Sequence, residues 1–352
     1  MSTIPASVRS QIASRLEAFA RCTQQPKPVH LIYSTRNSWP YLNNYDSTST
    51  GDKSGMAESS RSADPTPDQD LDIAVLDSSF NPPHLAHLSL VSSSPFLSRS
   101  APPSSSRKHY DAHLLLLSSK NADKGSGKAG DASPEQRLSM MYLLAKDLER
   151  KLSSEGSKEP NVAVVVVEEP LMKDKSTLLH SFFKEQTEGG RGQSNGAGLV
   201  HRARPRLHWV VGWDTIIRYF ALKYYPSPES FARSCDLFFN QEGTTFVAAR
   251  RVVGGSAPDR SDDAEQSAAS LRKEEDKFLG SDLVRPWVEK GSVTMFDLPK
   301  EARGVSSTLV RSILLEDGVS GKEKLRKLRQ GDTVSEDLAK YLVEEDVYKK
   351  TA

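Results

Sequence analysis

The sequence has little cysteine, no excess of charge of either sign and no long apolar run. Its 352 residues include two cysteines, Cys22 and Cys235, which lie far apart and lack metal-ligand spacing. That scarcity argues against a disulfide framework and against a zinc site. Lysine and arginine number 47 against 46 acidic residues, whereas proteins that bind polynucleotides usually carry a basic excess. We therefore expect no nucleic-acid partner.

The apolar segments are all too short to suggest a membrane protein. None approaches the roughly 20 residues that a helix needs to span a bilayer. The N-terminal segment lacks the basic stretch followed by an apolar core that marks a signal peptide. The sequence therefore predicts no membrane partner and a location in the cytoplasm or the nucleus, and it leaves the oligomeric state open.

Polar, low-complexity stretches divide the chain. Residues 4–22 carry apolar side chains at intervals of three and four, as an amphipathic helix does. Residues 43–70 are so rich in Ser, Thr, Asp, Gly and Pro that they predict a flexible linker. We thus expect an N-terminal extension over 1–42 and a main domain over 71–352. Further low-complexity insertions are predicted near 98–108, 120–132, 187–205 and 253–270.

Short apolar runs alternate with helical patterns in the main domain. Strands are predicted at 71–76, 112–117, 162–167, 207–211, 244–249 and 293–296. Helices are predicted from His84 onward, after Ser133, at about 176–185, after the segment 212–214, at 278–288, near 306–316 and near 335–348. This alternation indicates an α/β fold: a Rossmann-like, doubly wound, mostly parallel sheet with helices on both faces. Such sheets bind ligands at the carboxyl ends of the strands, near the point where strand order reverses.

The first predicted strand runs into the loop DSSFNPPHLAH at residues 77–87. Small residues let a backbone approach phosphate, and the following helix start presents free N–H groups. His84 and His87 are three residues apart and share one face of that helix, where each ring could donate a hydrogen bond or carry charge. Such a pair alone is more often a packing feature, but its place between strand and helix favours a phosphate site.

A second loop, GVSSTLVR at residues 304–311, places three hydroxyl residues and an arginine at a predicted helix start. Hydroxyl oxygens, free N–H groups and a guanidinium suit the β- and γ-phosphates of a nucleoside triphosphate. The alternative is an ordinary Ser/Thr helix cap followed by a solvated arginine. Taken alone, this loop favours the alternative.

Together, SSFNPPHLAH and VSSTLVR resemble the two motifs of the nicotinamide mononucleotide (NMN) adenylyltransferase family, a branch of the HxGH nucleotidyltransferase superfamily. The family patterns read roughly G-S-F-N-P-P-H/T-x-G-H and I-S-S-T-x-x-R. The segment Gly212-Trp213-Asp214 is similar to the family's G-x-D. The resemblance spans residues 71 to about 348, and the long Ser-rich insertions are most similar to those of divergent fungal members.

This resemblance implies that the chain transfers AMP from ATP to NMN by direct in-line attack, giving NAD and pyrophosphate. It implies Mg²⁺ bound with ATP. Because no third ligand lies at a suitable spacing from the two histidines, we expect no metal ligand from the protein. His87 would contact the α-phosphate and His84 the neighbouring phosphates. The ATP-binding residues implied are Ser78, Ser79, Phe80, Asn81, His84, His87, Gly212, Asp214, Ser306, Ser307, Thr308 and Arg311. Lys120 is a further candidate for a phosphate contact.

The chain departs from the family pattern at two glycines, which are Ser78 and Ala86 here. It also lacks the family's Trp-Glu pair after the third strand and has Glu168 there without an aromatic neighbour, so Glu168 and Trp213 are the candidates for acceptor binding. Two alternatives stay open: a cytidylyltransferase-like enzyme with another phosphorylated acceptor, and an ATP-binding or ATP-hydrolysing regulatory protein. A dehydrogenase is disfavoured because no G-x-G-x-x-G follows the first strand.

Overall fold

The protein is built around one seven-stranded sheet. The computed structural model describes residues 4–37, 39–41, 70–93, 109–120, 130–189, 204–250 and 261–348. The strands are β1 (His30–Ser34), β2 (Leu71–Asp77), β3 (Ala112–Ser118), β4 (Val162–Val167), β5 (Pro205–Gly212), β6 (Thr245–Ala249) and β7 (Val293–Phe296). Their order across the sheet is β1-β4-β3-β2-β5-β6-β7.

Helices connect most of the strands and close the chain. They are α1 (Ala6–Arg21), α2 (Leu85–Ser92), α3 (Pro134–Ser154), α4 (Met172–Gly189), α5 (Trp213–Tyr219), α6 (Pro228–Cys235), α7 (Ser261–Leu279), α8 (Arg285–Glu289), α9 (Ser307–Leu314), α10 (Gly321–Gln330) and α11 (Glu336–Glu344). Among the described residues, no helix combines the length and the apolar character that crossing a membrane requires.

Six strands run parallel, and β1 pairs with β4 in the antiparallel direction. The chain moves outward from β2 through β3 to β4, and then returns to place β5 on the other side of β2. Strand order therefore reverses between β2 and β5. The crevice beyond their carboxyl ends is where a doubly wound sheet binds its ligand.

The apolar core lies in layers on both faces of the sheet. Ile73 and Val75 of β2 belong to one buried cluster, and Ala74 and Leu76 belong to the other, because successive side chains of a strand point to opposite faces. Strands covered on both faces are continuously apolar, as the fully buried Val162–Val167 illustrates. A third cluster joins the outer face of α3 to α9, α10 and α11.

The predicted Rossmann-like, doubly wound, mostly parallel sheet with helices on both faces is confirmed. One predicted helix is wrong in extent, because residues 278–288 do not form a single helix. Helix α7 ends at Leu279 before Gly280, and α8 begins only at Arg285, with Pro286 in its first turn. Strand β1 and helices α6 and α10 are absent from the sequence prediction.

The predicted polar stretches fall largely outside the part of the chain that the structure describes. The predicted linker at 43–70, except for its last residue, and the predicted insertion at 98–108 lie wholly outside it. The predicted insertion at 253–270 is described only from Ser261 onward, where α7 begins.

Candidate functional site

The loop after β2 is held by a buried aromatic ring and a left-handed turn. Strand β2 ends at Asp77, and Phe80 follows with a φ angle of 46° and a fully buried side chain. A bulky residue with such a φ angle is strained, and packing of the ring offsets that strain. The turn brings His84 to the N-cap of α2 and places His87 against Ser78.

His87 is a buried, neutral and firmly oriented imidazole. Its Nδ1 atom accepts a hydrogen bond from the backbone N–H of His84 at 3.2 Å, which places the ring proton of the neutral form on Nε2. The Nε2 atom lies 2.9 Å from Oγ of Ser78, so that the ring donates to this hydroxyl. Burial lowers the pKa of His87 from 6.5 to about 4. The ring is therefore uncharged at pH 7.

His84 packs directly on His87. The two ring centroids are 3.9 Å apart. Burial, with a smaller contribution from the charge of His87, lowers the pKa of His84 well below its ordinary value. Of the two roles that the sequence leaves open for this pair, the structure favours hydrogen bonding over positive charge.

The second loop meets the first through direct hydrogen bonds. Ser306 caps α9, because its side chain accepts a hydrogen bond from the Leu309 N–H at 3.2 Å. The Ser307 hydroxyl donates to the Pro82 carbonyl at 2.7 Å. The Arg311 guanidinium donates to the Asn81 carbonyl. Two segments more than 200 residues apart in the chain thus form one wall.

The Asn81 side chain holds three parts of the chain together. Its Nδ2 atom donates to Oδ1 of Asp131 at 2.5 Å. Its Oδ1 atom accepts from the Ala132 N–H at 3.0 Å and from the Tyr348 hydroxyl at 2.8 Å. Asn81 therefore links the first loop to the segment before α3 and to the C-terminal segment. Its backbone carbonyl accepts the hydrogen bond from Arg311.

A cavity of about 370 Å³ opens beyond the carboxyl ends of the strands. Its lining residues are Asp77, Ser78, Ser79, Asn81, Ser118, Ser119, Lys120, Asp131, Arg137, Pro170, Leu171, Met172, Lys173, Lys175, Thr215, Arg218, Tyr219, Tyr224, Tyr225 and Arg311. They come from the segments that follow β2, β3 and β4, from α3, from α5 and the segment after it, and from α9. The cavity therefore occupies the position that the topology predicts for a ligand.

Positive charge predominates in this cavity. Six of the lining side chains are lysine or arginine, against two aspartates. One of those aspartates, Asp77, forms an ion pair of 2.5 Å with Lys175, which is only 5% exposed. The other, Asp131, pairs with Arg137 at 3.2 Å. The cavity lining therefore carries more cations than anions, which suits a polyphosphate or a phosphorylated ligand.

The G-x-D segment precedes residues that line the cavity, but none of its own three residues does so. Gly212 ends β5 and caps α5, and Asp214 lies in the first turn of that helix. Neither residue is among those that line the cavity, whereas Thr215 and Arg218 of the same helix are. The helix that follows β5 therefore contributes to the site through Thr215, Arg218 and Tyr219.

The two candidates for acceptor binding lie outside the cavity lining. Trp213 is 5% exposed and packs edge to face against Phe278, with ring centroids 5.2 Å apart. Glu168 forms ion pairs of 3.3 Å with both Lys27 and Lys120. Of these residues, Lys120 lines the cavity, and Glu168 is its ion-pair partner.

Sequence reasoning missed several charged residues of the cavity wall. These are Asp77, Asp131, Arg137, Lys173, Lys175 and Arg218. Residues 170–175 follow β4, and Arg218 lies one turn beyond Asp214 on α5. Their position after the carboxyl ends of parallel strands is a signal that the sequence contains, but it becomes informative only when the strand order is known.

Comparisons with known proteins identify relatives of this chain. It is 30% identical over 258 residues to a Schizosaccharomyces pombe protein named "Putative nicotinamide mononucleotide adenylyltransferase", a match that covers 73% of this chain and 80% of the relative. No protein-family model matches the sequence.

Two solved structures of Plasmodium falciparum nicotinic acid mononucleotide adenylyltransferase also align with this chain. One is complexed with APC and the other with NaAD. Each is 13% identical, has a TM-score of 0.37 and covers 79% of this chain, and the alignments cover 96% and 97% of the two solved chains.

Proposed function

The chain belongs to the NMN adenylyltransferase family, and from this premise we propose that it transfers the adenylyl group of ATP to NMN, giving NAD and pyrophosphate. It is a nucleotidyltransferase, and the proposal concerns its substrates and mechanism. The observation that carries the proposal is the shared cationic cavity. Ser78 from the first motif and Arg311 from the second line the same cavity at the point where strand order reverses.

The triphosphate of ATP would lie against the wall that the two motif loops form. Arg311 and Lys120 supply positive charge for the phosphates, and Ser78 and Ser79 supply hydroxyl groups beside them. Arg311 is already oriented by its hydrogen bond to the Asn81 carbonyl. Preorganised donors of this kind stabilise the negative charge that develops during transfer without reorganising at that moment.

The acceptor would bind to other residues of the cavity lining. Arg218 and Lys173 are among them and would hold the phosphate of NMN. Tyr225 is half-buried and fixed by a hydrogen bond of 2.7 Å from its hydroxyl to the Tyr219 carbonyl. Its ring is the surface that we assign to the acceptor base, because Trp213 is buried in the core.

Catalysis would consist of positioning and charge stabilisation. An oxygen of the acceptor phosphate attacks the α-phosphorus in line with the departing pyrophosphate, so no side chain serves as a nucleophile. Mg²⁺ bound with ATP would neutralise part of the phosphate charge. Among the described residues, no group of three or more His, Cys, Asp or Glu is placed to hold a metal ion. We propose that phosphate oxygens and water hold the cation.

A protein that binds ATP without adenylylating NMN is the second candidate function. The specific observation in its favour is the acceptor side, where Glu168 is engaged by Lys27 and Lys120 and the Trp213 ring is buried. Neither side chain is then available to a nicotinamide ring in this conformation.

The proposal is tested by incubating the purified protein with ATP, MgCl₂ and NMN and separating the products by chromatography. NAD and pyrophosphate are expected in equal amounts, and CTP in place of ATP, or nicotinic acid mononucleotide in place of NMN, measures selectivity. ATP binding without any dinucleotide product would overturn the proposal and support the second candidate. If a dinucleotide forms with CTP and not with ATP, the result would instead support a cytidylyltransferase.

A further inference from the structure

The hydroxyl of Ser78 stands between His87 and the cavity. Ser78 lines the cavity, whereas His87 is 8% exposed and is not among the lining residues. The two side chains are joined by the hydrogen bond of 2.9 Å between Nε2 and Oγ. A phosphate that enters the cavity therefore reaches the hydroxyl of Ser78 before the imidazole of His87.

The direction of these hydrogen bonds leaves one donor for a ligand. The backbone N–H of His84 occupies Nδ1 of His87, so that Nε2 donates to Oγ of Ser78. A hydroxyl oxygen that accepts a hydrogen bond keeps its own O–H group to donate elsewhere. Within the described part of the chain, the structure shows no second side-chain partner for this hydroxyl.

We infer that Ser78 is the residue that touches the transferred phosphate, and that His87 is a positioning residue that acts through Ser78. This inference rests on the proposed adenylyl transfer and deepens it. The family pattern has glycine where this chain has Ser78. The relay from imidazole to hydroxyl to phosphate is therefore a property of the side chain that replaces that glycine.

The relay stabilises charge and moves no proton. During transfer, an oxygen of the acceptor phosphate forms a bond to the α-phosphorus, and the bond from that phosphorus to the pyrophosphate oxygen breaks. Its electron pair leaves with pyrophosphate, while negative charge builds up on the other α-phosphate oxygens. Ser78 donates its O–H to one of them, and the bond received from His87 strengthens that donation by polarising the hydroxyl.

A double-mutant cycle measures the relay by its kinetics. Ser78→Ala is expected to lower kcat about 100-fold, the size of effect that follows loss of one preorganised donor, with little change in KM for ATP. His87→Ala should cost no more than Ser78→Ala. The double variant should be no slower than Ser78→Ala alone, because both residues act as one unit. A Ser78→Ala variant that keeps its rate while His87→Ala loses it would overturn the inference.

Nitrogen NMR of the histidine rings tests the relay without any transfer reaction. The protein is titrated with an ATP analogue that carries a methylene group between its α- and β-phosphates. The Nε2 signal of His87 is expected to shift in the wild-type protein and to stay unchanged in Ser78→Ala at saturating analogue. An equal shift in both proteins would show that His87 touches the nucleotide directly and would contradict the relay.

Controls separate this inference from protein stability and from the proposed function. Ser154→Ala removes an exposed hydroxyl that donates to the Lys151 carbonyl at the end of α3, and it should leave kcat unchanged. Melting temperatures identify any variant that is merely destabilised. If the wild-type protein makes no dinucleotide, the proposed function fails, and the NMR titration still decides whether the relay exists.

Discussion

The two ends of strands β2 and β5 both carry buried polar side chains, and the described cationic cavity lies at their carboxyl ends. At the amino ends, Oδ1 of Asp72 accepts hydrogen bonds from Nε2 of His208 at 2.9 Å and from Nε of Arg206 at 2.8 Å. Nδ1 of His208 lies 2.8 Å from the Thr245 hydroxyl. We call these four residues the amino-end cluster. None of them lines the described cavity.

The comparison shows what distinguishes a site from a well-packed polar cluster. The amino-end cluster contains a carboxylate, an imidazole and a hydroxyl in sequence, an arrangement that resembles catalytic triads. Its charges, however, are paired with one another, and Asp72 and His208 are each 1% exposed. The carboxyl-end cavity has space and an excess of cations. We take an opening lined by more cations than anions, and not a buried histidine, as the mark of the proposed ligand site.

The largest expected effect belongs to the amino-end cluster and concerns stability alone. Asp72→Ala leaves His208 and Arg206 without their shared acceptor and should lower the free energy of unfolding by about 3–5 kcal/mol. Urea denaturation measures this loss. Asp70→Ala removes an exposed partner of Arg206 and should cost less than about 1 kcal/mol. A large loss of kcat in folded Asp72→Ala protein would contradict the claim that the amino-end cluster contributes to stability alone.

Next in size is the effect of Arg311→Ala at the cavity. Removing this guanidinium should lower kcat/KM for ATP about 100-fold, because a preorganised phosphate donor is lost. Steady-state kinetics with ATP as the varied substrate provide the measurement. Arg206→Ala, the matched change at the amino ends, should leave kcat/KM unaltered. Similar kinetic losses in the two variants would mean that the cavity is not where ATP binds.

The sequence predicts more of the fold than of the candidate site. Strands β4 and β7 have the bounds that their apolar runs predict, since a continuous β-branched or apolar run admits few alternatives. Strand β1 was missed because it has five residues and only Ile32 is buried. An edge strand so short and so exposed carries almost no periodic signal.

The sequence predicts that both motif loops bind one ATP molecule, but not the hydrogen bonds that join the two loops. Local sequence predicts that Ser306 caps a helix, because capping involves residues close together in the chain. It does not predict the bond from Ser307 to the Pro82 carbonyl, which depends on the packing of α9 against the first loop. The low pKa of His87 likewise follows from burial that only the folded chain creates.

Acidification should lower the stability of the protein through buried histidines at both ends of the strands. Burial lowers the pKa of His87 to about 4 and that of His113, near the amino end of β3, to about 3, from an ordinary value of 6.5. The folded state therefore disfavours the charged rings. The stability that these neutral rings contribute is complete above pH 6.5 and is lost as pH falls towards 4, by about 1 kcal/mol per pH unit for each ring.

Urea denaturation between pH 7 and pH 5 measures this slope, and His87→Gln and His113→Gln should each reduce it. Because His87 stays neutral in this range, titration of its ring should cause no change in kcat between pH 6 and pH 9. Stability that does not fall between pH 6.5 and pH 5 would show that these rings are not held in their neutral form.

The smallest expected effect is at the rim of the cavity. The Lys120 side chain is 58% exposed, and solvent screens its charge, so Lys120→Ala should raise KM for ATP only about two- to fivefold. Lys27→Ala removes the other lysine that pairs with Glu168, but Lys27 does not line the cavity, and its loss should leave KM unchanged. Equal increases in KM in the two variants would show that the effect comes from removing a cationic partner of Glu168 and not from losing a contact with ATP.

A crystal structure of the protein with the α,β-methylene analogue of ATP tests the central claim most directly. The account predicts the triphosphate in the carboxyl-end cavity, with the Ser78 hydroxyl on the α-phosphate and the Arg311 guanidinium on the β- or γ-phosphate. Triphosphate density at the amino-end cluster, or in the cavity but out of reach of both side chains, would contradict it.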